Sequence, residues 1–308
     1  MKSLLLAFAV ATFSVISASA AEKIPVSSFS SILTEIATEV GGERVDVTAH
    51  VKAGVDPHDF EPKPADLQTV SKAALILLSA KHMEPYVGKL KESTGAKGML
   101  LEVGDQFPSL KMKAGGHDHH GHGHGKKDAH DHGSDDAEDP HWWHSISNMQ
   151  RATRVVRDAL SKISPADKKF FAKNADAYIA KLSALQKWTK VKVAELPKDK
   201  RKLVTSHEAF QYFARENGFT IYAIEGLSSA DEPSSKDVAE MIGTIKKQNV
   251  KAVFAEAIQN PKILQEITRE SGAKLGGELY ADGLGEGAAS TYDGMFRHNV
   301  TTIVDALK

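Results

Sequence analysis

Apolar side chains recur along this chain in two rhythms, helical steps of three and four residues and short strand-like runs, and the alternation between them occurs twice. In the first half, Phe29, Ile32, Ile36 and Val40 share one face of a helix predicted over 27–40, and 45–51 alternates apolar and polar as a half-buried strand does. A helix over 64–73, a continuous apolar strand over 74–78, another helix and a strand over 99–103 continue the pattern. Strands alternating with helices predict a mainly parallel sheet covered by helices. The second half restarts the rhythm with strands at 202–205, 220–224, 252–255 and 274–279, helices at 207–217, 237–248 and 261–271, and a last helix over 292–307 that turns Phe296, Val300, Ile303 and Leu307 inward. His207 and Asp282 stand just after predicted strands, where ligands gather in such sheets.

Between the halves, Phe171, Ala175, Tyr178, Leu182, Leu185 and Trp188 keep helical spacing until Pro197. Ser164-Pro165-Ala166-Asp167 is a helix start, with serine as N-cap, proline at the first helical position and an acid in the first turn. A helix of about 30 residues exceeds the usual globular length, and its place between two α/β stretches predicts a backbone helix joining two lobes. The expected division is a signal peptide over 1–20, an N-terminal lobe over 21–163, a linking helix over 164–197 and a C-terminal lobe over 198–308.

The region 104–139 breaks the rhythm, and a loop of that length inside a compact domain is usually functional or unstructured. Seven of the chain's 14 histidines, His117, His119, His120, His122, His124, His130 and His132, fall in it, interleaved with Gly, Asp and Lys. That composition cannot pack a core and reads as a metal-collecting tract, a His-rich loop over about 113–135. Flanking it in the sequence are two copies of one tripeptide, Asp56-Pro57-His58 and Asp139-Pro140-His141, in which proline stiffens the backbone before each imidazole.

Lys2, the apolar stretch 4–16 and Ala18-Ser19-Ala20 form a signal peptide expected to be cleaved after Ala20, and no later stretch is long and apolar enough to span a membrane. The absence of cysteine removes disulfides, thiolate metal sites and a lipidated N-terminal cysteine, which for a bacterial source favours a free periplasmic protein over a lipoprotein. A formal charge of −1 argues against a nucleic-acid partner.

Four blocks, AGVDPHDFEPKPADL (53–67), DPHWWHSISNM (139–149), TSHEAFQYFARENGF (205–219) and LYADGLGEGAASTYDGMFRHNV (279–300), resemble the substrate-binding proteins of bacterial zinc and manganese ABC importers, the ZnuA-like or cluster A-I group. The resemblance covers essentially the whole exported chain. It implies two α/β lobes bridged by a long helix, with the metal in the cleft between them. It places the metal ligands on His58, His141, His207 and Asp282, one tight Zn(II) site, with further weak Zn(II) on the His-rich tract. Three imidazoles and a carboxylate suit tetrahedral zinc, with proton competition expected below about pH 6. In the manganese branch the position of His207 is, by resemblance, a glutamate.

The expected function is capture of Zn(II) in the periplasm and delivery to an ABC permease at the inner membrane, by a monomer that docks transiently and takes part with a periplasmic zinc chaperone. The alternatives are a manganese-preferring importer protein and a secreted zinc scavenger or adhesin without a transporter. A metalloenzyme is disfavoured, because four ligands close the site and neither H-E-x-x-H nor G-x-S-x-G occurs. His144 lies three residues beyond His141 and reaches the same metal only if that segment is helical. Trp142 and Trp143 read as cleft walls, His50, His82 and His298 as surface or structural histidines, and Glu256 and Glu225 as polar groups behind the ligands.

Overall fold

In the computed structural model, which describes residues 22–95, 98–112, 137–224, 233–256 and 262–308, the two rhythms become two separate parallel sheets. The signal segment, the seven histidines of the tract and Glu225 lie outside the described residues. The first lobe runs β1 (Ile24–Ser28), α1 (Ser31–Gly41), β2 (Val45–Ala49), α2 (Pro64–Val70), β3 (Leu75–Leu78), α3 (Val87–Thr94) and β4 (Met99–Glu102), with strand order β2-β1-β3-β4. A short antiparallel pair, β5 (Lys111–Met112) and β6 (Ala137–Glu138), brackets the tract.

Strand β1 corrects the expected helix over 27–40, which in fact begins at Ser31. It is an interior strand, with Val26 opposite Val47 on one side and Leu75 on the other. Its buried Ser27 and Ser28 hide it from an apolar pattern. Their hydroxyls both find partners, Ser28 donating to the Ser30 carbonyl at 2.9 Å and Ser27 meeting His50 Nε2, 23 residues on, at 3.1 Å.

A 3-10 turn (Trp142–His144) leads into α4 (Ile146–Ile163), a helix absent from the sequence expectation, capped by Ser145 Oγ accepting from the Asn148 amide at 3.0 Å. The linking helix α5 (Lys168–Ala194, 27 residues) starts later than Ser164, because Pro165–Asp167 forms its own 3-10 turn, held by Ser164 Oγ donating to Asp167 at 2.8 Å. The second lobe runs β7 (Lys202–Thr205), α6 (Gln211–Asn217), β8 (Thr220–Ala223), α7 (Ser235–Gln248), β9 (Ala252–Glu256), α8 (Lys262–Ser271), β10 (Lys274–Leu279) and α9 (Tyr292–Leu307), with strand order β10-β9-β7-β8.

The expected helix over 207–217 is shortened at its start. Thr205 Oγ1 donates to the His207 carbonyl at 3.0 Å and folds residues 206–208 into a bend, so His207 sits on a strand-end turn rather than a helix.

Helix α5 packs against α1, α4 and α9, and one apolar cluster runs through all four helices. Its buried face is the predicted one, Phe171 to Leu185 continued by Thr189 and Val193. Trp188 is only partly buried, with the Arg297 guanidinium 4.5 Å from its ring centroid. Leu185 is fully buried in this shared core. Leu185→Ala is expected to cost about 2–5 kcal/mol of stability, read as a lower urea midpoint; a change within about 0.5 kcal/mol, as at ordinary surface positions, would show that α5 does not carry the core.

Candidate metal centre

Four loops from both lobes converge on one point. His58 follows β2, His141 follows β6, His207 follows β7 and Asp282 follows β10. In both Asp-Pro-His copies the aspartate side chain accepts the backbone N–H of the histidine two residues on, at 2.8 Å from His58 to Asp56 and 2.9 Å from His141 to Asp139. This local side-chain-to-backbone turn is one that aspartate makes readily. Together with the fixed proline φ it orients each imidazole before any tertiary contact forms.

The four side chains offer one ligand atom each, all within 4.8 Å of one another, and form a group with metal-holding geometry among the described residues. His141 Nε2 lies 3.3 Å from His58 Nε2 and 3.4 Å from His207 Nε2. Asp282 Oδ1 lies 3.4, 3.3 and 3.4 Å from the Nε2 atoms of His58, His141 and His207. His141 and His207 are fully buried, and His58, with its side chain 12% exposed, faces the opening.

What stands behind the imidazoles decides which face they present. His141 Nδ1 donates to Asp139 Oδ1 at 2.9 Å, and His207 Nδ1 donates to the Glu256 carboxylate, whose other oxygen accepts the His207 backbone N–H at 3.2 Å. With the proton held at Nδ1, each Nε2 turns a lone pair toward the centre, the arrangement that fixes tautomer and raises basicity in metal-binding histidines. Glu256 thus occupies the supporting role expected of it. Asp139 was legible as part of a repeated tripeptide, but its second task, behind His141, was not.

Three nitrogens and a carboxylate oxygen pointing at one another in a largely buried cluster repel unless a positive charge lies between them. Asp282 Oδ1 is buried, and no hydrogen bond reaches it among the described residues. Burial alone would lower the His207 pKa, but Glu256 and Asp282 overcome it and raise the group well above 6.5; His141 is raised likewise by Asp139 and Asp282 against its burial. Burial alone would raise Asp282, yet His207, His141 and His58 hold it well below the usual carboxylate range.

The remaining candidates separate cleanly. His144 does not join the cluster: its Nε2 donates to the Ala281 carbonyl at 2.7 Å, and burial, with His141 nearby, lowers its pKa to about 3. The 3-10 turn after His141 points its ring away from the other three. Trp142 and Trp143 are buried walls whose indole N–H groups donate to Ser79 O at 3.1 Å and Ala281 O at 2.8 Å. His50 stacks on Phe29 at 4.6 Å and bonds Asp66 and Ser27 at 3.0 and 3.1 Å, a structural histidine. His298 meets the Glu278 carbonyl at 2.9 Å on the surface, and His82 is exposed.

The chain belongs to the family described as zinc-uptake complex component A, periplasmic (ZnuA), whose model matches residues 26–306. It is 32% identical over 297 residues to the manganese-binding lipoprotein MntA of Bacillus subtilis, covering 94% of this chain and 92% of that one. Its fold superposes on the periplasmic zinc-binding protein TroA of Treponema pallidum with a TM-score of 0.82 at 26% identity, covering 92% of this chain and 99% of TroA. A manganese-bound periplasmic metal-binding protein from Candidatus Liberibacter asiaticus matches with a TM-score of 0.78 at 26% identity, covering 93% of this chain and 100% of that one. The chain is accordingly a metal-binding component of ABC-type metal uptake, in a family that works with a membrane permease. Among the described residues no helix is long and apolar enough to cross a membrane.

Two expectations follow from the geometry. Asp139→Asn, which removes the charge behind His141 while keeping its shape, is expected to weaken metal binding about 10–100-fold; unchanged affinity in a competition titration would remove Asp139 from the centre. Because His141 and His207 hold protons above 6.5, metal uptake near pH 7 should release protons, and affinity should fall with decreasing pH from above 6.5 rather than only below pH 6. Calorimetry in buffers of different ionisation heat reads this directly, and a buffer-independent heat at pH 7 would contradict it.

Proposed function

We propose that this protein is the periplasmic zinc-capture component of an ABC importer, binding one Zn(II) tightly through His58, His141, His207 and Asp282 and handing it to a permease at the inner membrane. The observation that carries the metal assignment is the set of ligand-atom separations, five of them at 3.3–3.4 Å. A tetrahedral ion with bonds of about 2.0–2.1 Å requires edges of about 3.3–3.4 Å between its donors. The donor set of three imidazole nitrogens and one carboxylate oxygen also suits zinc better than a harder ion. The cargo is held between two lobes, and the protein acts as a monomer that docks transiently on its permease, with a periplasmic zinc chaperone as a further partner. Export with cleavage after Ala20 and weaker Zn(II) capture on the seven histidines of the tract belong to the same reading.

A manganese-preferring importer protein is the second reading, favoured by the likeness to a manganese-binding relative and to a manganese-bound structure. The third imidazole, His207, separates the two. Native protein is expected to bind Zn(II) far more tightly than Mn(II), in keeping with the divalent affinity order, and His207→Glu to narrow the gap by weakening zinc more than manganese. Competition titrations with both ions test this, and a native preference for manganese or an unchanged ratio in the variant would reverse the assignment. In the same titrations, removal of residues 115–133 should leave the tight event and abolish the weaker ones.

A further inference from the structure

The loop that delivers Asp282 is held from an unexpected direction. The carbonyl of Ala281, immediately before it, accepts two hydrogen bonds, from Trp143 Nε1 at 2.8 Å and from His144 Nε2 at 2.7 Å. Both donors are rings that are 1% exposed, and both sit on the 3-10 turn that directly follows His141. Further contacts hold the turn. His144 lies against Phe210 with centroids 4.4 Å apart, and the Trp143 carbonyl is itself fixed by the Tyr292 hydroxyl at 2.7 Å. Trp142, at the start of the same turn, donates back to Ser79 at the end of β3. The turn therefore ties the first lobe's sheet to the backbone that carries the second lobe's carboxylate.

The consequence concerns how Asp282 can bind. Ions that prefer five or six donors complete their shell by drawing in a second carboxylate oxygen or additional ligands, whereas a four-coordinate ion takes one oxygen. Drawing in the second oxygen requires the aspartate to shift or swing, and a backbone carbonyl pinned by two buried N–H groups resists the shift. The oxygen facing the cluster is Oδ1, at 3.3–3.4 Å from all three imidazoles.

We propose that Trp143 and His144, acting through the Ala281 carbonyl, are positioning residues that hold Asp282 to one-oxygen ligation and so bias the centre toward four-coordinate ions. The inference rests on the reading of the four converging side chains as metal ligands. Removing one donor while keeping a ring in place loosens Asp282, which helps an ion that wants more donors and harms one that wants four.

Co(II) is the probe, since its visible absorption is intense when four-coordinate and weak when five- or six-coordinate. Native protein loaded with Co(II) is expected to show the intense bands. In His144→Phe and Trp143→Phe the bands should weaken, and the zinc-to-manganese affinity ratio should fall about tenfold, the low end of the effect of removing a group that orients a ligand. A role in stability alone would lower both affinities together and leave ratio and bands as they were, which would overturn the proposal. Weak Co(II) bands in the native protein would overturn it whether or not the variants fold. If native protein takes up neither cobalt nor zinc, the proposed function falls as well; if it takes up both and the folded variants keep the native ratio and bands, only this inference falls.

Discussion

Everything about the cleft follows from four acceptor atoms forced to face one another out of water. Carboxylates behind two of the imidazoles keep their protons on the far nitrogen, so the near nitrogens and Asp282 Oδ1 converge as lone pairs. Such an arrangement is tolerable only with positive charge in its middle. Protons supply it when no metal is present, which is why both buried imidazoles are driven above their ordinary pKa despite their burial. On the reading proposed here a divalent cation supplies it better, and the same pressure that raises the imidazole pKa values favours its uptake.

That tension has to be held by the scaffold, because the cluster alone would fly apart. Each Asp-Pro-His loop is stiffened locally by proline and by the aspartate that accepts the histidine's own N–H. The two lobes are then tied across the cleft by the turn after His141, which reaches Ser79 in one lobe and Ala281 in the other. On the far side, Glu35 of α1 accepts the Tyr178 hydroxyl of α5 and the Tyr292 amide of α9, both at 2.7 Å. The lobes are thus joined by a long helix and by hydrogen bonds from the turn after His141 and from Glu35.

The fold was legible wherever an element carries its apolar residues in an unbroken rhythm, as α5, β3 and α9 do. It was illegible where side-chain hydrogen bonds, local or distant, substitute for that rhythm. Strand β1 ends in serines whose hydroxyls find partners only once His50 and the Ser30 carbonyl are in place. The start of α6 gave way to a bend because Thr205 caps the His207 carbonyl. Helix α4 does carry a helical rhythm, in Met149, Ala152, Val156 and Leu160, all of them buried, but it starts directly after a block of histidines and tryptophans that interrupts the apolar pattern.

For the centre, residue types and local stiffness belong to the sequence: two Asp-Pro-His tripeptides and a histidine and an aspartate after strands name the candidates, because proline and aspartate act within a few residues of the histidines they orient. Tertiary structure alone decided the rest. It put four segments from two lobes within 4.8 Å of one another, set Glu256 behind His207 across 49 residues of chain, and turned His144 away from the cluster onto Ala281, 137 residues distant. Such contacts depend on where whole sheets come to rest, and no local pattern of side chains specifies that.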